Sequence, residues 1–125
     1  MKRETALCLV ADYIGGWLHG DPARVLRTVA DDCVVIESHG PTFTGRAEIA
    51  RWLDEWFGRG GVVSRWEITS FVFERDAAAV GWSFACVDRG VRYDIDGVSL
   101  FLFRGERIAR IEEYRRTEPA RPGHG

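Results

Sequence analysis

The chain has 125 residues, of which 46% are hydrophobic and 29% are charged, and its formal net charge is −2. This length suits one domain, and the composition is that of a globular protein rather than a disordered one. Lysine and arginine residues are dispersed, so the sequence lacks the basic stripe that binds nucleic acid. No apolar run approaches the roughly 18 residues of a membrane span, and no cleavable leader is evident. We therefore expect a soluble cytoplasmic protein that binds neither nucleic acid nor membrane.

Cysteine and histidine usage gives no sign of a metal or disulfide framework. Cys8, Cys33 and Cys86 lie far apart among apolar neighbours, which predicts reduced thiols packed in the core. The three histidines show no metal-ligand spacing, and no glycine-rich phosphate loop is present. We expect no metal, nucleotide or flavin cofactor. Five tryptophans and seven phenylalanines are unusual for this length; they fit core packing, a cavity for a flat ligand, or both.

The first third of the chain has a helical pattern. Apolar residues recur at i, i+3, i+4 and i+7 over residues 5–19, which predicts an amphipathic helix ending at Gly20. Asp21-Pro22 then supplies an N-cap and a first-turn proline for a short second helix. Asp31-Asp32 is expected to end that helix.

A strand and a third helix follow. Residues 33–37 are rich in β-branched side chains and predict the first strand. Thr44-Gly45 leads into a helix that the glycines of residues 58–61 terminate. The expected inward face of that helix is Ile49, Trp52, Leu53 and Trp56.

The second half of the chain alternates between strands and turn signals. The predicted strands are 62–74, 77–87, 91–103 and 107–116. Their connections are too short for crossover helices, so consecutive strands should form an antiparallel meander. The chain is thus predicted to be α+β, with three N-terminal helices packed on a strongly curved, mostly antiparallel sheet that forms a conical pocket. Residues 1–117 are expected to form one domain, and 118–125 a flexible tail.

Several local phrases accompany this order of elements: Gly20-Asp21, Ala30-Asp31-Asp32-Cys33-Val34, Thr44-Gly45-Arg46-Ala47-Glu48-Ile49, and Gly97-Val98-Ser99-Leu100-Phe101-Leu102-Phe103 with Ile108 and Glu113-Tyr114. The order and these phrases together resemble the nuclear transport factor 2-like (cystatin-like) superfamily, in particular its SnoaL-like branch, named for a polyketide cyclase. The resemblance implies this fold, a homodimer formed through the open face of the sheet, and one of several functions. Those functions include isomerase, cyclase, epoxide hydrolase, dehydratase and binding domain.

Three positions are similar to functional positions of the ketosteroid isomerase branch. Tyr13 stands where those enzymes place a tyrosine that donates a hydrogen bond to the developing enolate oxygen. Glu37 stands at the position of their general base, an aspartate, and burial would raise its pKa towards a range useful for proton transfer. Ser99 stands where they carry a protonated aspartic acid. The alternatives are a boundary tyrosine, an exposed strand end and a small packed serine.

Two further side chains extend this set. His39 shares the strand face of Glu37 and would orient it, unless it is only a turn residue. Glu113 precedes Tyr114 as a carboxylate precedes a tyrosine in the limonene epoxide hydrolase branch. That branch pairs its carboxylate with an Arg-x-Asp unit, to which Arg92-Tyr93-Asp94 is similar; the same residues also fit a solvated strand end.

Three functional hypotheses remain open. The first is a cofactor-independent isomerase, cyclase or hydrolase acting on a hydrophobic small molecule, with Tyr13, Glu37 and Glu113 as catalytic residues. The second is a non-catalytic module that binds an apolar ligand or dimerises, and the third is epoxide hydrolysis. The residues expected to bind substrate are Trp17, His39, Trp52, Trp56, Trp82, Ser99 and Phe101.

Overall fold

The computed structural model describes residues 1–123 and contains three helices and six strands in that part of the chain. The end of the predicted tail, residues 124–125, lies outside the described residues. The elements in chain order are α1 (Arg3–Leu18), α2 (Pro22–Thr28), β1 (Val29–Ile36), β2 (Thr42–Thr44), α3 (Arg46–Gly58), β3 (Val62–Glu74), β4 (Ala77–Asp88), β5 (Val91–Arg104) and β6 (Arg107–Arg115).

The first two helices form a tightly packed pair. The carboxylate of Asp21 accepts a hydrogen bond of 3.2 Å from the backbone N–H of Arg24 and so caps α2. A Cβ added at Gly16 would lie 2.4 Å from the side chain of Val25 and 2.8 Å from its backbone nitrogen. A glycine on α1 therefore allows α2 to pack against it at backbone distance.

The predicted boundary between α2 and β1 is wrong. The strand begins at Val29 rather than at Cys33, and Asp31-Asp32 lies within it instead of breaking the chain. Both aspartates are exposed and paired with arginines, Asp31 with Arg46 at 3.2 Å and Asp32 with Arg104. Their charges therefore remain in water while the strand's other residues are buried or half-buried. The three-residue strand β2 was also not predicted.

The six strands form one sheet in the order β2-β1-β6-β5-β4-β3. Strands β3 to β6 form the predicted antiparallel meander, and β6 continues into a parallel pairing with β1. Helix α1 packs against α2 and β3, while α3 lies over β1 and β2. The predicted fold class, three helices on a curved and mostly antiparallel sheet, is confirmed.

The register of the meander places aromatic and acidic side chains on one concave face. Trp82 of β4 pairs with Gly97 of β5, and Ser99 of β5 pairs with Glu113 of β6. Trp66 of β3 lies opposite Phe84. Because side chains alternate along a strand, these residues share the inner surface.

Gly97 is required by the packing of this face. A Cβ at this position would lie 2.2 Å from the carbonyl oxygen of Tyr114 and 2.6 Å from the indole of Trp82. We expect Gly97→Ala to lower the free energy of unfolding by about 2–4 kcal/mol, because the backbone of β6 or the indole must move. Urea denaturation measures this loss.

Gly58→Ala is the matched control. No atom lies within 4 Å of a Cβ added at Gly58, which is the last residue of α3. Alanine favours the helix, so this variant should be neutral or more stable by up to about 1 kcal/mol. Equal destabilisation by the two substitutions would contradict the packing explanation for Gly97.

Candidate functional site

A cavity of about 370 Å³ opens on the concave face of the sheet, beside the C-terminal end of α3. This volume lies within the range of small-molecule sites. The loop after β1, the end of α3 and strands β3 to β6 all contribute to it. Its lining residues are Glu37, Ser38, His39, Trp56, Trp66, Trp82, Phe84, Cys86, Asp88, Tyr93, Ile95, Glu113 and Arg115.

Three aromatic rings form one wall of the cavity. Trp66 stands nearly perpendicular to Trp82 and to Phe84, at interplanar angles of 78° and 87°. The Nε1 of Trp82 donates a buried hydrogen bond of 2.8 Å to Oγ of Ser99. This bond and the close approach to Gly97 fix the orientation of the Trp82 indole.

Glu113 contributes a carboxyl group to the cavity lining. The side chain is half-buried, and it forms no hydrogen bond or ion pair with any of residues 1–123. Burial, and then the negative charge of Glu37, raises the pKa of Glu113 to about 8. The group is therefore mostly protonated at neutral pH.

Glu37 supplies a second carboxyl group nearer the cavity mouth. Its backbone N–H donates to the carbonyl of Pro41, which closes the loop after β1, and its side chain is 23% exposed. Burial raises its pKa to about 7; Arg59 opposes this shift and Asp88 adds to it. The Nδ1 of His39 lies 4.0 Å from the Glu37 carboxylate, and the His39 side chain is half exposed.

An ion pair between Arg59 and Asp88, which was not predicted from the sequence, lies at the rim of the cavity. The Arg59 guanidinium donates two hydrogen bonds to the Asp88 carboxylate, one from Nε at 2.8 Å and one from a terminal nitrogen at 3.1 Å. The guanidinium also lies 5.2 Å from the ring centre of Trp56. Its hydrogen bonds hold the pKa of Asp88 below the usual range. Both residues lie next to turn sequences that are far apart in the chain, so their contact could not be predicted from local patterns.

Tyr13 lies behind the aromatic wall rather than at a helix boundary. It is fully buried and packs edge-on against Trp66 and Phe101, at 6.1 and 6.2 Å between ring centres. Its hydroxyl has no hydrogen-bond partner among the described residues. Burial, and then the charge of Glu113, raises the pKa of Tyr13. The tyrosine is thus close enough to Glu113 to sense its ionisation.

The structure brings together some of the predicted site residues and separates others. Glu37, His39, Trp56, Trp82 and Glu113 line one cavity. Four predicted substrate-binding residues are not part of that lining and lie in the layer behind it. They are Trp17, which packs on Trp52 at 4.7 Å, Trp52 itself, Ser99 under Trp82, and Phe101 beside Tyr13.

The Arg-x-Asp unit lies outside the cavity. Tyr93 and Ile95 face inward, so Arg92 and Asp94 point to the opposite side of β5. Asp94 is half exposed and pairs with Arg65 at 2.7 Å and with Arg92 at 3.3 Å. The solvated alternative considered for these residues describes their placement.

Several lining residues were not predicted. Phe84 continues the alternation of β4 that contains Trp82, whereas Trp66 and Tyr93 belong to the neighbouring strands β3 and β5. Alternation within one strand does not reveal which of its faces is the inner one. Cys86 also lines the cavity, and burial raises its pKa to about 11, so the thiol stays protonated. Cys8 is exposed on α1, contrary to the predicted core position.

Comparison with known proteins assigns the family. The model of the SnoaL-like domain matches residues 10–111, so the chain belongs to the SnoaL-like family. No curated protein matches the chain. Among residues 1–123, no helix is long and apolar enough to cross a membrane, and no cluster of side chains has the makings of a metal site.

Solved structures share the fold at low sequence identity. The chain is similar to an LEH-like epoxide hydrolase from M. tuberculosis, with 18% identity, a TM-score of 0.81, and coverage of 90% of this chain and 84% of that one. It is similar to a putative polyketide cyclase from Xanthomonas campestris, with 23% identity, a TM-score of 0.73 and 90% coverage of both chains. A protein of ketosteroid isomerase-like fold from Catenulispora acidiphila, in complex with trimethylamine, has 21% identity, a TM-score of 0.75, and coverage of 85% and 83%.

The burial of Glu113 predicts a pH-dependent stability. Its folded-state pKa of about 8 exceeds the ordinary value of 4.5, so its contribution to stability is full below about pH 4.5 and is lost as pH rises through about 8. We expect Glu113→Gln to raise the free energy of unfolding above that of the parent protein at about pH 9, on the order of 3 kcal/mol, with little difference at about pH 5. Urea denaturation across this range is the measurement.

Glu112→Gln is the control on the same strand. Glu112 points to the other face, where hydrogen bonds from Tyr114 and Arg110 hold its pKa below the usual range. Its substitution should give no gain at high pH. A Glu113→Gln variant that is no more stable than the parent at about pH 9 would contradict the burial of an unpaired carboxyl.

Proposed function

We propose that the protein is a cofactor-independent acid–base enzyme of the isomerase, cyclase or hydrolase type, acting on a hydrophobic small molecule. The observation that carries the proposal is a pair of carboxyl groups in an aromatic cavity, with pKa values of about 7 for Glu37 and about 8 for Glu113. Acid–base catalysis at neutral pH requires groups that can hold and release a proton in that range.

The two carboxyl groups suit different roles. Glu37 is about half ionised at neutral pH and can take a proton from a carbon atom next to a carbonyl group. The electrons of that C–H bond form an enolate, and protonated Glu113 can donate a hydrogen bond or its proton to the enolate oxygen. Return of the proton to another carbon completes an isomerisation. Tyr13 lies behind the cavity surface, so we assign it a structural role beside Glu113 and no contact with the substrate.

The names of two structural neighbours support an enzyme over a binding module. Two structural neighbours carry the names of enzymes, a putative polyketide cyclase and an LEH-like epoxide hydrolase. Epoxide opening is the weaker candidate for this chain, because Arg92 and Asp94 point away from Glu113. Carbon acid chemistry needs only the groups that line the cavity.

Hydrogen–deuterium exchange tests the proposal without knowledge of the natural substrate. We expect the protein to accelerate exchange at the carbon next to the carbonyl in a panel of hydrophobic cyclic ketones such as 2-tetralone, followed by NMR in deuterated water. Glu37→Gln should reduce the rate about 100-fold, because it removes the base. The rate should fall below about pH 7, where Glu37 is protonated, and above about pH 8, where Glu113 loses its proton.

Asp94→Asn provides the control, since Asp94 lies on the outer face of β5. The Asp94→Asn variant should accelerate exchange in the ketones at the same rate as the parent protein. A protein that binds the ketones but accelerates none of them would favour the non-catalytic ligand-binding alternative. In that case Glu37→Gln and Tyr13→Phe would leave ligand affinity unchanged.

We also propose that the protein forms a homodimer through the outer face of the sheet. The register aligns Val72, Ala79 and Leu100 across three strands on that face. Val72 is 66% exposed and Leu100 is 44% exposed, and Leu102 and Tyr114 extend the same apolar surface. A contiguous apolar patch of this kind is typical of an interface between proteins.

Leu100→Glu tests the dimer. A negative charge at the centre of this surface should convert the protein to a monomer, as measured by sedimentation velocity, without unfolding it. Val91→Glu is a matched control at an exposed position near the start of β5. A parent protein that sediments as a monomer at micromolar concentration would overturn the proposal.

A further inference from the structure

We propose that the cavity binds a ligand carrying a positively charged ammonium group, seated between Glu37 and Glu113 and against the rings of Trp66, Trp82 and Phe84. This inference shares its cavity with the proposed function and narrows the substrate class to hydrophobic amines. The inference concerns binding, so it is tested by measuring ligand affinity and not by measuring turnover.

Glu37 and Glu113 lack the arginine partners that other carboxylates of this protein have. Asp88, at the rim of the same cavity, pairs with Arg59 at 2.8 Å, and Asp12 pairs with Arg24 at 3.1 Å. Glu113 has no such partner among residues 1–123. In the same part of the chain, the ion-pair contact of Glu37 is with the exposed His39, at 4.0 Å.

The chain's own cations do not fill this gap. Arg59 is held at the rim by two hydrogen bonds to Asp88. Arg115 lines the cavity two residues beyond Glu113, but it is exposed and forms no ion pair with either glutamate. Neither arginine therefore forms an ion pair with Glu37 or Glu113, and the cavity that both glutamates line has room for a cationic ligand.

The aromatic wall suits the same ligand. Trp66, Trp82 and Phe84 are mutually inclined at 67° to 87°, so together they form a corner of rings rather than a flat slot. The electron-rich faces of aromatic rings attract ammonium groups, and rings set at steep angles are the usual receptor for methylated ammonium. Methyl groups on the nitrogen would contact the rings while the charge faces the carboxylates.

Binding of a cation should be coupled to proton release. One ammonium charge compensates one carboxylate, so the ligand prefers the form in which at least one of the two glutamates is ionised. The other titratable groups that face the pair are Tyr13, His39, Cys86, Asp88 and Tyr93, with Arg59 and Arg115 at the rim.

The probe is a matched pair of small molecules, choline and 3,3-dimethylbutan-1-ol. They have the same shape, but the alcohol carries a neutral carbon where choline carries a permanently charged nitrogen. Calorimetry on the intact protein should show that choline binds at least about tenfold more tightly than the alcohol at about pH 8. Choline affinity should fall about tenfold between about pH 8 and pH 6, whereas alcohol affinity should not fall.

Variants separate the carboxyl groups from any general charge effect. The double variant Glu37→Gln/Glu113→Gln should lose both the preference for choline and its pH dependence, with folding checked by circular dichroism. Glu112→Gln, on the opposite face of β6, should behave like the parent protein. Equal affinity for the two probes, no choline binding at about pH 8, or a preference that survives the double variant would each overturn the inference.

The two proposals fail in different ways. Selective choline binding without exchange of ketone protons would contradict the enzyme and leave the ammonium site intact. Exchange of ketone protons without any preference for choline would leave the enzyme and overturn the ammonium site.

Discussion

Burial of a carboxyl group without a partner is the constraint on which this site depends. Glu113 lies in the concave face of the sheet among apolar side chains, and no described residue offers it a hydrogen bond. Moving an ionised carboxylate into such surroundings costs free energy, so the group keeps its proton to higher pH than it would in water. The negative charge of Glu37, which lines the same cavity, raises the pKa of Glu113 further.

The surrounding framework keeps that constraint in place. Trp82 is anchored by its hydrogen bond to Ser99, and the bare backbone of Gly97 leaves room for the indole. Ser99 in turn lies directly across from Glu113 on the neighbouring strand. Ser99 stands at a position that resembles a catalytic one, but its hydroxyl accepts the hydrogen bond that orients the Trp82 indole.

Local patterning predicted most of the fold. The helical periodicity of the first helix and the turn signals between the four long strands each placed an element within a few residues of its observed bounds. The start of β1 was missed because two adjacent aspartates normally end a regular element, and here both stay exposed in a strand whose pairing with β6 shifts register between Val29 and Val34. That pairing involves a distant part of the chain and has no local signature.

The candidate site was only partly predictable for the same reason. Glu37 and Glu113 could be selected because each stands at a position that resembles a functional carboxylate of an enzyme branch, at the end of a strand with apolar neighbours. The pairing of Arg59 with Asp88, and the entry of Trp66 into the wall, depend on how distant turns and strands meet. A bulge in the β3–β4 register between Ile68 and Ser70 shows why alternation alone is insufficient, since one extra residue reverses the faces that follow.

Two adjacent residues of β6 show that the two faces of the sheet provide different surroundings for a carboxyl group. Glu112 and Glu113 differ by one position, yet the pKa of Glu112 is lowered by donors on the outer face and that of Glu113 is raised by burial on the inner face. The outer face satisfies its charges with its own tyrosine and arginine and presents apolar neighbours for packing. On the inner face, the carboxyl group of Glu113 has no hydrogen-bond partner among the described residues. An unsatisfied group in a shaped cavity lowers stability, and a ligand that completes it recovers that free energy as affinity.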